Sequence, residues 1–181
     1  MKKVVSFLLL CCCLLYAGVA YSDVVRDAVL GRAYTFDDNA KLVLTDCGMT
    51  KKIAAIDYWM DSKITIESDS DEYFVFLKGR ITNFRNEEFI FGSDVVKVAV
   101  VYNNKFTFTG VVGQFSFKHP DLMMNDASTY LAPKYEHVGK MYSRDFIFFC
   151  RIPDNVAHDK KSPLRMIIKL DSDEVGYAIR K

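Results

Sequence analysis

The chain has 181 residues, half of them hydrophobic and 14% aromatic, with 24 Lys and Arg against 23 Asp and Glu. Such apolar content excludes a disordered segment, and the near-even charge balance supplies no long-range field to steer the protein onto phosphate backbones, so nucleic acid is not an expected partner. The length suits one domain of ordinary size that buries a full core.

The N-terminus opens with Lys2 and Lys3, continues through an apolar run from Val4 to Leu15, and leaves through the small residues Ala17, Gly18, Ala20 and Ser22. A positive flank, an apolar centre and a small-residue exit are what an export signal needs. Residues 1–22 are therefore expected to be a signal peptide, and the mature protein is expected outside the cytoplasm: periplasmic, on the cell surface or secreted. Val4 to Tyr21 carries no charge and is also long enough to span a bilayer, so a membrane association is expected only if the signal stays uncleaved. Cys11, Cys12 and Cys13 lie inside this segment. A lipid-anchor signal needs a small residue before its cysteine, and Leu10, Cys11 and Cys12 stand in those places.

Residues 23–40 read as a leader or a short helix, with Val24, Val25, Ala28 and Val29 ahead of Gly31. From Lys41 the pattern changes to short runs rich in β-branched and aromatic residues, separated by Gly, Asn, Asp and Pro. Strands are expected near 41–46, 62–67, 73–84, 88–91, 94–102, 105–117, 128–131, 142–152, 164–170 and 175–180. In the third of these, Tyr73, Val75, Leu77, Gly79 and Ile81 share one face, and Phe74, Phe76, Lys78, Arg80 and Thr82 share the other. Period-two alternation ending in charges on one face indicates a strand buried on its opposite face. Asn103 and Asn104 lie between two strand runs and tolerate positive φ, so they are expected to turn a hairpin. Ile152-Pro153-Asp154 ends another run, because proline cannot donate to a ladder. Many short strands without βα alternation give an all-β antiparallel sandwich over 41–181 with a Greek-key arrangement.

The alternating strand Tyr73 to Asn83, the hairpin at Asn103-Asn104, and Phe146-Ile147-Phe148-Phe149 leading into Ile152-Pro153-Asp154, in that order, resemble an immunoglobulin-like domain family of unknown function found in secreted and lipid-anchored bacterial proteins. The resemblance spans about residues 40 to 180 and implies an immunoglobulin-like sandwich. It brings no catalytic residues. Cys47, Trp59 and Cys150 occur in the order of an antibody-type bridge, yet with a separation too large for the usual strand pairing.

Few residues suggest chemistry. Cys47 and Cys150 are the only cysteines left after processing, and an even pair in an oxidising compartment reads as a disulfide; two buried free thiols are the alternative. His119, His137 and His158 fall in expected loops without a close-spaced pair, unlike zinc ligands. The acidic clusters at Asp69, Asp71 and Glu72 and at Asp171, Asp173 and Glu174 lack what a calcium loop requires and read as polar turns. Nucleophile-elbow, phosphate-loop and paired-carboxylate motifs do not occur, so no catalytic residue, metal or cofactor is expected. The expected function is contact with an unknown protein or surface ligand; a small envelope hydrolase assembled from distant residues is the alternative. The stretch between Phe117 and Met141 is longer than ordinary connections and carries Leu122, Met123 and Met124, whose flexible side chains suit adaptable contacts. It is the expected contact loop, unless Ser128 to Leu131 forms an edge strand and the methionines close the core.

Overall fold

The computed structural model describes residues 26–36, 39–57, 62–91, 95–115, 122–124, 136–170 and 172–181. The expected signal peptide and the expected 128–131 strand lie outside them. The strands are β1 (Arg26–Asp27), β2 (Ala33–Phe36), β3 (Ala40–Thr50), β4 (Lys52–Asp57), β5 (Ser62–Glu67), β6 (Glu72–Asn83) and β7 (Phe89–Phe91), then β8 (Val96–Tyr102), β9 (Phe106–Phe115), β10 (Leu122–Met124), β11 (Glu136–Val138) and β12 (Ser143–Pro153). A short helix α1 (Asp154–His158) precedes β13 (Leu164–Leu170) and β14 (Asp173–Arg180).

Asn103 and Asn104 hold φ of 50° and 54°, the left-handed pair that a two-residue hairpin needs, and they join β8 to β9 in antiparallel register from Val98↔Gly110 to Tyr102↔Phe106. Strand β9 then changes partner. Its first half pairs β8, and Val111 to Gln114 pair Phe149 to Phe146 of β12. Gly110 sits at this corner, where a Cβ would stand 2.6 Å from the Phe149 carbonyl oxygen and 2.8 Å from Val98 Cγ1. Only glycine lets the two layers meet that closely.

One twelve-stranded sheet thus curls into two layers, β1-β14-β13-β8 on one side of β9 and β12-β6-β3-β2 on the other. The spatial order β6-β12-β9-β8 is a Greek key, with the first strand beside the last. Leu42, Leu77, Val98, Val100, Phe146, Phe148, Met166 and Ile168 are among the residues that fill the space between the layers.

A second core covers the outer face of β6 and β12. The β4–β5 hairpin reaches β9 through β10, which is parallel to β4 and antiparallel to β9. Ile53, Ala55 and Ile66 pack there on Phe74, Ile147 and Phe149. Consequently every residue from Phe146 to Cys150 is buried, and Phe74 is buried on the face of β6 that the alternation assigns to the outside, while Arg80 farther along that face is exposed. A run apolar at consecutive positions is the mark of a strand covered on both sides.

Arg26–Asp27 and Ala33–Phe36, within the segment expected to be a leader or short helix, are strands instead. Arg26 and Asp27 pair in parallel with Val175 and Gly176, and β2 pairs β3. Tyr34, Phe36 and Ala28 are buried in the main core, so burial of apolar side chains overrides the weak helical spacing.

Candidate functional site

Asn83 ends β6 fully buried, the only buried polar residue among the described residues. Its Nδ2 donates to the Glu87 carbonyl at 2.9 Å and to the Val138 carbonyl at 2.8 Å, and its Oδ1 accepts from the Arg85 N–H at 2.8 Å. The backbone continues the network: Asn83 N–H donates to Tyr142 O at 3.0 Å and Met141 N–H to Asn83 O at 2.8 Å. A buried amide satisfied in this way ties two loops to one strand end. Beside it, Thr82 and Ser143 hydroxyls lie 2.7 Å apart, and Arg80 grips Asp145 through two hydrogen bonds of 2.7 and 3.0 Å. That bidentate contact raises the Arg80 pKa above its ordinary value, the hydrogen bond acting first and the charge second.

The loops held by Asn83 present apolar groups to solvent. Tyr142 N–H donates to Gly139 O at 3.0 Å, closing a turn in which Met141 has φ of 63°. With positive φ confined to its third residue, the turn is of the type that favours glycine or asparagine there. Met141 is 62% exposed, Tyr142 63% and Phe84 42%. Phe84 N–H donates to Asn39 O at 2.8 Å, and Asn39, Arg85, Asn86 and Glu87 line an adjacent open hollow of about 550 Å³. One end of the sandwich therefore combines a polar hollow with three exposed apolar side chains on hydrogen-bonded backbone segments. Met141 closes the long connection expected to carry contacts. Phe84 and the 84–88 loop were not legible, because nothing local says that Asn83 is buried.

Leu122, Met123 and Met124, expected in a contact loop, have strand backbone. They are β10, flanked by Phe115 and Gln114 of β9 on one side and by Ala55 to Asp57 of β4 on the other. Backbone pairing with both neighbours wins over an open connection.

The expected Cys47–Cys150 disulfide is corrected to two free thiols. Both residues lie in the same layer with β6 between them, Cys47 opposite Leu77 and Cys150 opposite Val75. Two strand spacings separate their backbones by about 10 Å, beyond the roughly 7 Å that a bridge tolerates. Cys47 Sγ donates instead to the Tyr177 hydroxyl at 3.4 Å, linking the layers, and Cys150 Sγ to the Thr109 carbonyl at 3.3 Å. The hydrogen bond with Cys47, followed by burial, pushes Tyr177 up to about 12. Burial first, and the Glu72 charge second, push the Cys150 thiol up to about 12, so it stays protonated and poorly nucleophilic.

His137 and His158, expected in loops, lie in β11 and α1. Each meets one carboxylate, Glu88 at 2.8 Å and Asp154 at 3.2 Å. His119 and Trp59 lie outside the described residues. Asp69 and Glu72 approach Arg151 at 4.0 and 3.7 Å, and Asp173 lies 3.1 Å from Arg26. These carboxylates face cations of the fold, and among the described residues no three His, Cys, Asp or Glu converge as metal ligands. The Asp159 carboxyl is held well below the usual carboxylate range by hydrogen bonds from the Ser162 and Tyr102 side chains and the Lys161 backbone. The Tyr102 hydroxyl donates to it at 2.6 Å. It fastens the turn before β13.

No protein-family model and no curated protein matches the sequence. The fold is similar to that of a solved structure, an uncharacterized β-sandwich protein from Clostridium difficile 630, with a TM-score of 0.65 and 11% identity, over 86% of this chain and 95% of that one. At that identity the likeness concerns fold alone, and with the two-layer packing described above it makes this chain a β-sandwich protein.

Proposed function

We propose that the chain is an exported, non-catalytic, immunoglobulin-like module of the envelope or extracellular space, serving in protein or surface-ligand contact through the end formed by residues 83–87 and 139–142. The export signal read in residues 1–22 supports the compartment, and the ordered resemblance from Tyr73 to Asp154 supports the immunoglobulin-like kinship. One observation carries the contact surface: Met141, at a φ of 63°, is held in a conformation that favours glycine while its side chain stays 62% exposed beside Tyr142. A bulky residue in the left-handed region costs about 1–2 kcal/mol, and its exposed side chain returns little of that through core packing. Contact with another surface is a use for such a side chain.

The test uses the protein processed by its own export route and isolated envelopes of the producing cells. Saturable binding is expected for the wild type, weakened at least about tenfold in Met141→Gly and Tyr142→Ser. Met141→Gly suits its backbone, so thermal unfolding should hold or rise. Equal binding by these variants, or retention of the wild type in the cytoplasm, defeats the reading.

A further inference from the structure

The branched sheet has three ends, β1, β2 and β5. The first two are linked by a side-chain hydrogen bond, and β1 is further tied to its own layer by ion pairs. The Arg26 guanidinium donates to the Thr35 carbonyl of β2 at 3.0 Å and meets Asp173 at the start of β14 at 3.1 Å, and Arg165 reaches Asp27 at 2.6 Å. The end at β5 is different: among the described residues β5 pairs β4 alone. Its outer row of N–H and C=O groups is a template for another strand.

The sequence of β5, Ser62-Lys63-Ile64-Thr65-Ile66-Glu67, complements itself. In an antiparallel pair centred on Thr65, Lys63 stands opposite Glu67 of a second copy, Ile64 opposite its Ile66, and Thr65 opposite its Thr65. We propose that β5 pairs in this register with β5 of a second copy of this chain, giving a weak two-fold dimer in which the β4–β5 layer runs continuously from one copy to the other.

Two properties of the edge support that occupant. Lys63, Thr65 and Glu67 are exposed on one face, where Glu67 already meets Lys52 at 2.5 Å with both side chains about 60% exposed. Pairing extends this into a row of alternating charge, Lys52, Glu67 and Lys63 of the second copy, on each side of the axis, with opposite charges directly across the strands. On the other face Ile66 is buried in the second core and Ile64 only partly, and Ile66 of the second copy covers what Ile64 leaves open. A one-residue slip sets Lys63 against Ile66 and destroys both matches. The isologous contact closes after two copies.

Sedimentation velocity on the full processed chain over a roughly hundredfold concentration range, with light scattering, tests this. A monomer–dimer equilibrium is expected, weakened roughly tenfold by Lys63→Glu, which creates two like-charge pairs per dimer, and restored when Glu67→Lys is added. Air oxidation of the Thr65→Cys variant is expected to cross-link the two copies through residue 65, since directly opposed Cα atoms about 4.5–5.5 Å apart suit a disulfide. A chain that stays monomeric throughout overturns the proposal and leaves the edge to a strand of a different protein. A dimer indifferent to Lys63→Glu, or one cross-linked only through other cysteines, also overturns it.

Discussion

Asn83 Nδ2 and the Val138 carbonyl oxygen lie 2.8 Å apart and fasten the end of β6 to a segment 55 residues later in the chain. The same side chain satisfies the Glu87 carbonyl and the Arg85 N–H. Removing it leaves those groups short of partners inside the protein, where each unsatisfied group costs about 1–3 kcal/mol. Asn83→Ala is therefore expected to destabilise the fold by about 2–4 kcal/mol, measured by urea unfolding. Asn83→Asp, which keeps the size but loses both donors, should be no better. A loss below about 0.5 kcal/mol in either variant would mean that water replaces the network.

The thiols should behave separately. Cys150 is 1% exposed and hydrogen-bonded, whereas Cys47 is only partly buried. A thiol reagent at neutral pH is expected to label Cys47 in the folded protein and Cys150 only after unfolding, with peptide mass mapping reading each site. Because the folded pKa of Cys150 is raised to about 12, its contribution to stability is present below the unfolded thiol value of about 8.5 and lost as pH rises above it, where the unfolded chain ionises first. Cys150→Ala should flatten that alkaline decline. A peptide joining Cys47 to Cys150 in the native protein would contradict the strand order.

A contribution to acid sensitivity is expected from Asp159, whose folded pKa is depressed by the Ser162, Tyr102 and Lys161 hydrogen bonds. A depressed carboxylate contributes stability above its unfolded pKa of about 3.9, and that contribution is lost as pH falls through the folded value. The wild-type melting temperature should therefore decline below about pH 4 more steeply than that of Asp159→Asn, which starts lower at neutral pH. Parallel pH profiles in differential scanning fluorimetry would remove Asp159 from the explanation.

The corner of β9 predicts a severe effect from a small change. Gly110→Ala places a methyl group against the Phe149 carbonyl and Val98 Cγ1, and the carbonyl belongs to a paired central strand. Overpacking of this kind typically costs about 1–3 kcal/mol, and the upper part of that range is expected by denaturant unfolding. Thr109→Ala, on the exposed neighbour, should change stability by less than about 0.5 kcal/mol.

Local chemistry in the sequence determined several of the strands and turns. The 62–67 and 164–170 runs form β5 and β13 over the same residues, and the Asn103-Asn104 turn and the Pro153 stop follow from backbone preferences that act within a few residues. Tertiary pairing decided the rest. Whether Cys47 can meet Cys150 depends on β6 lying between them, and whether Phe146 to Cys150 is covered on one face or both depends on where the β4–β5 hairpin folds back. Strands β1 and β2 form because β14 and β3 offer them open edges, a circumstance invisible in residues 26–36 themselves. The end formed by residues 83–87 and 139–142 likewise takes shape only once Asn83 is buried and bonded to Val138, 55 residues away in the chain. Period-two spacing says which side chains share a face, but the neighbour that covers that face comes from elsewhere in the chain, through long-range contacts that no short window contains.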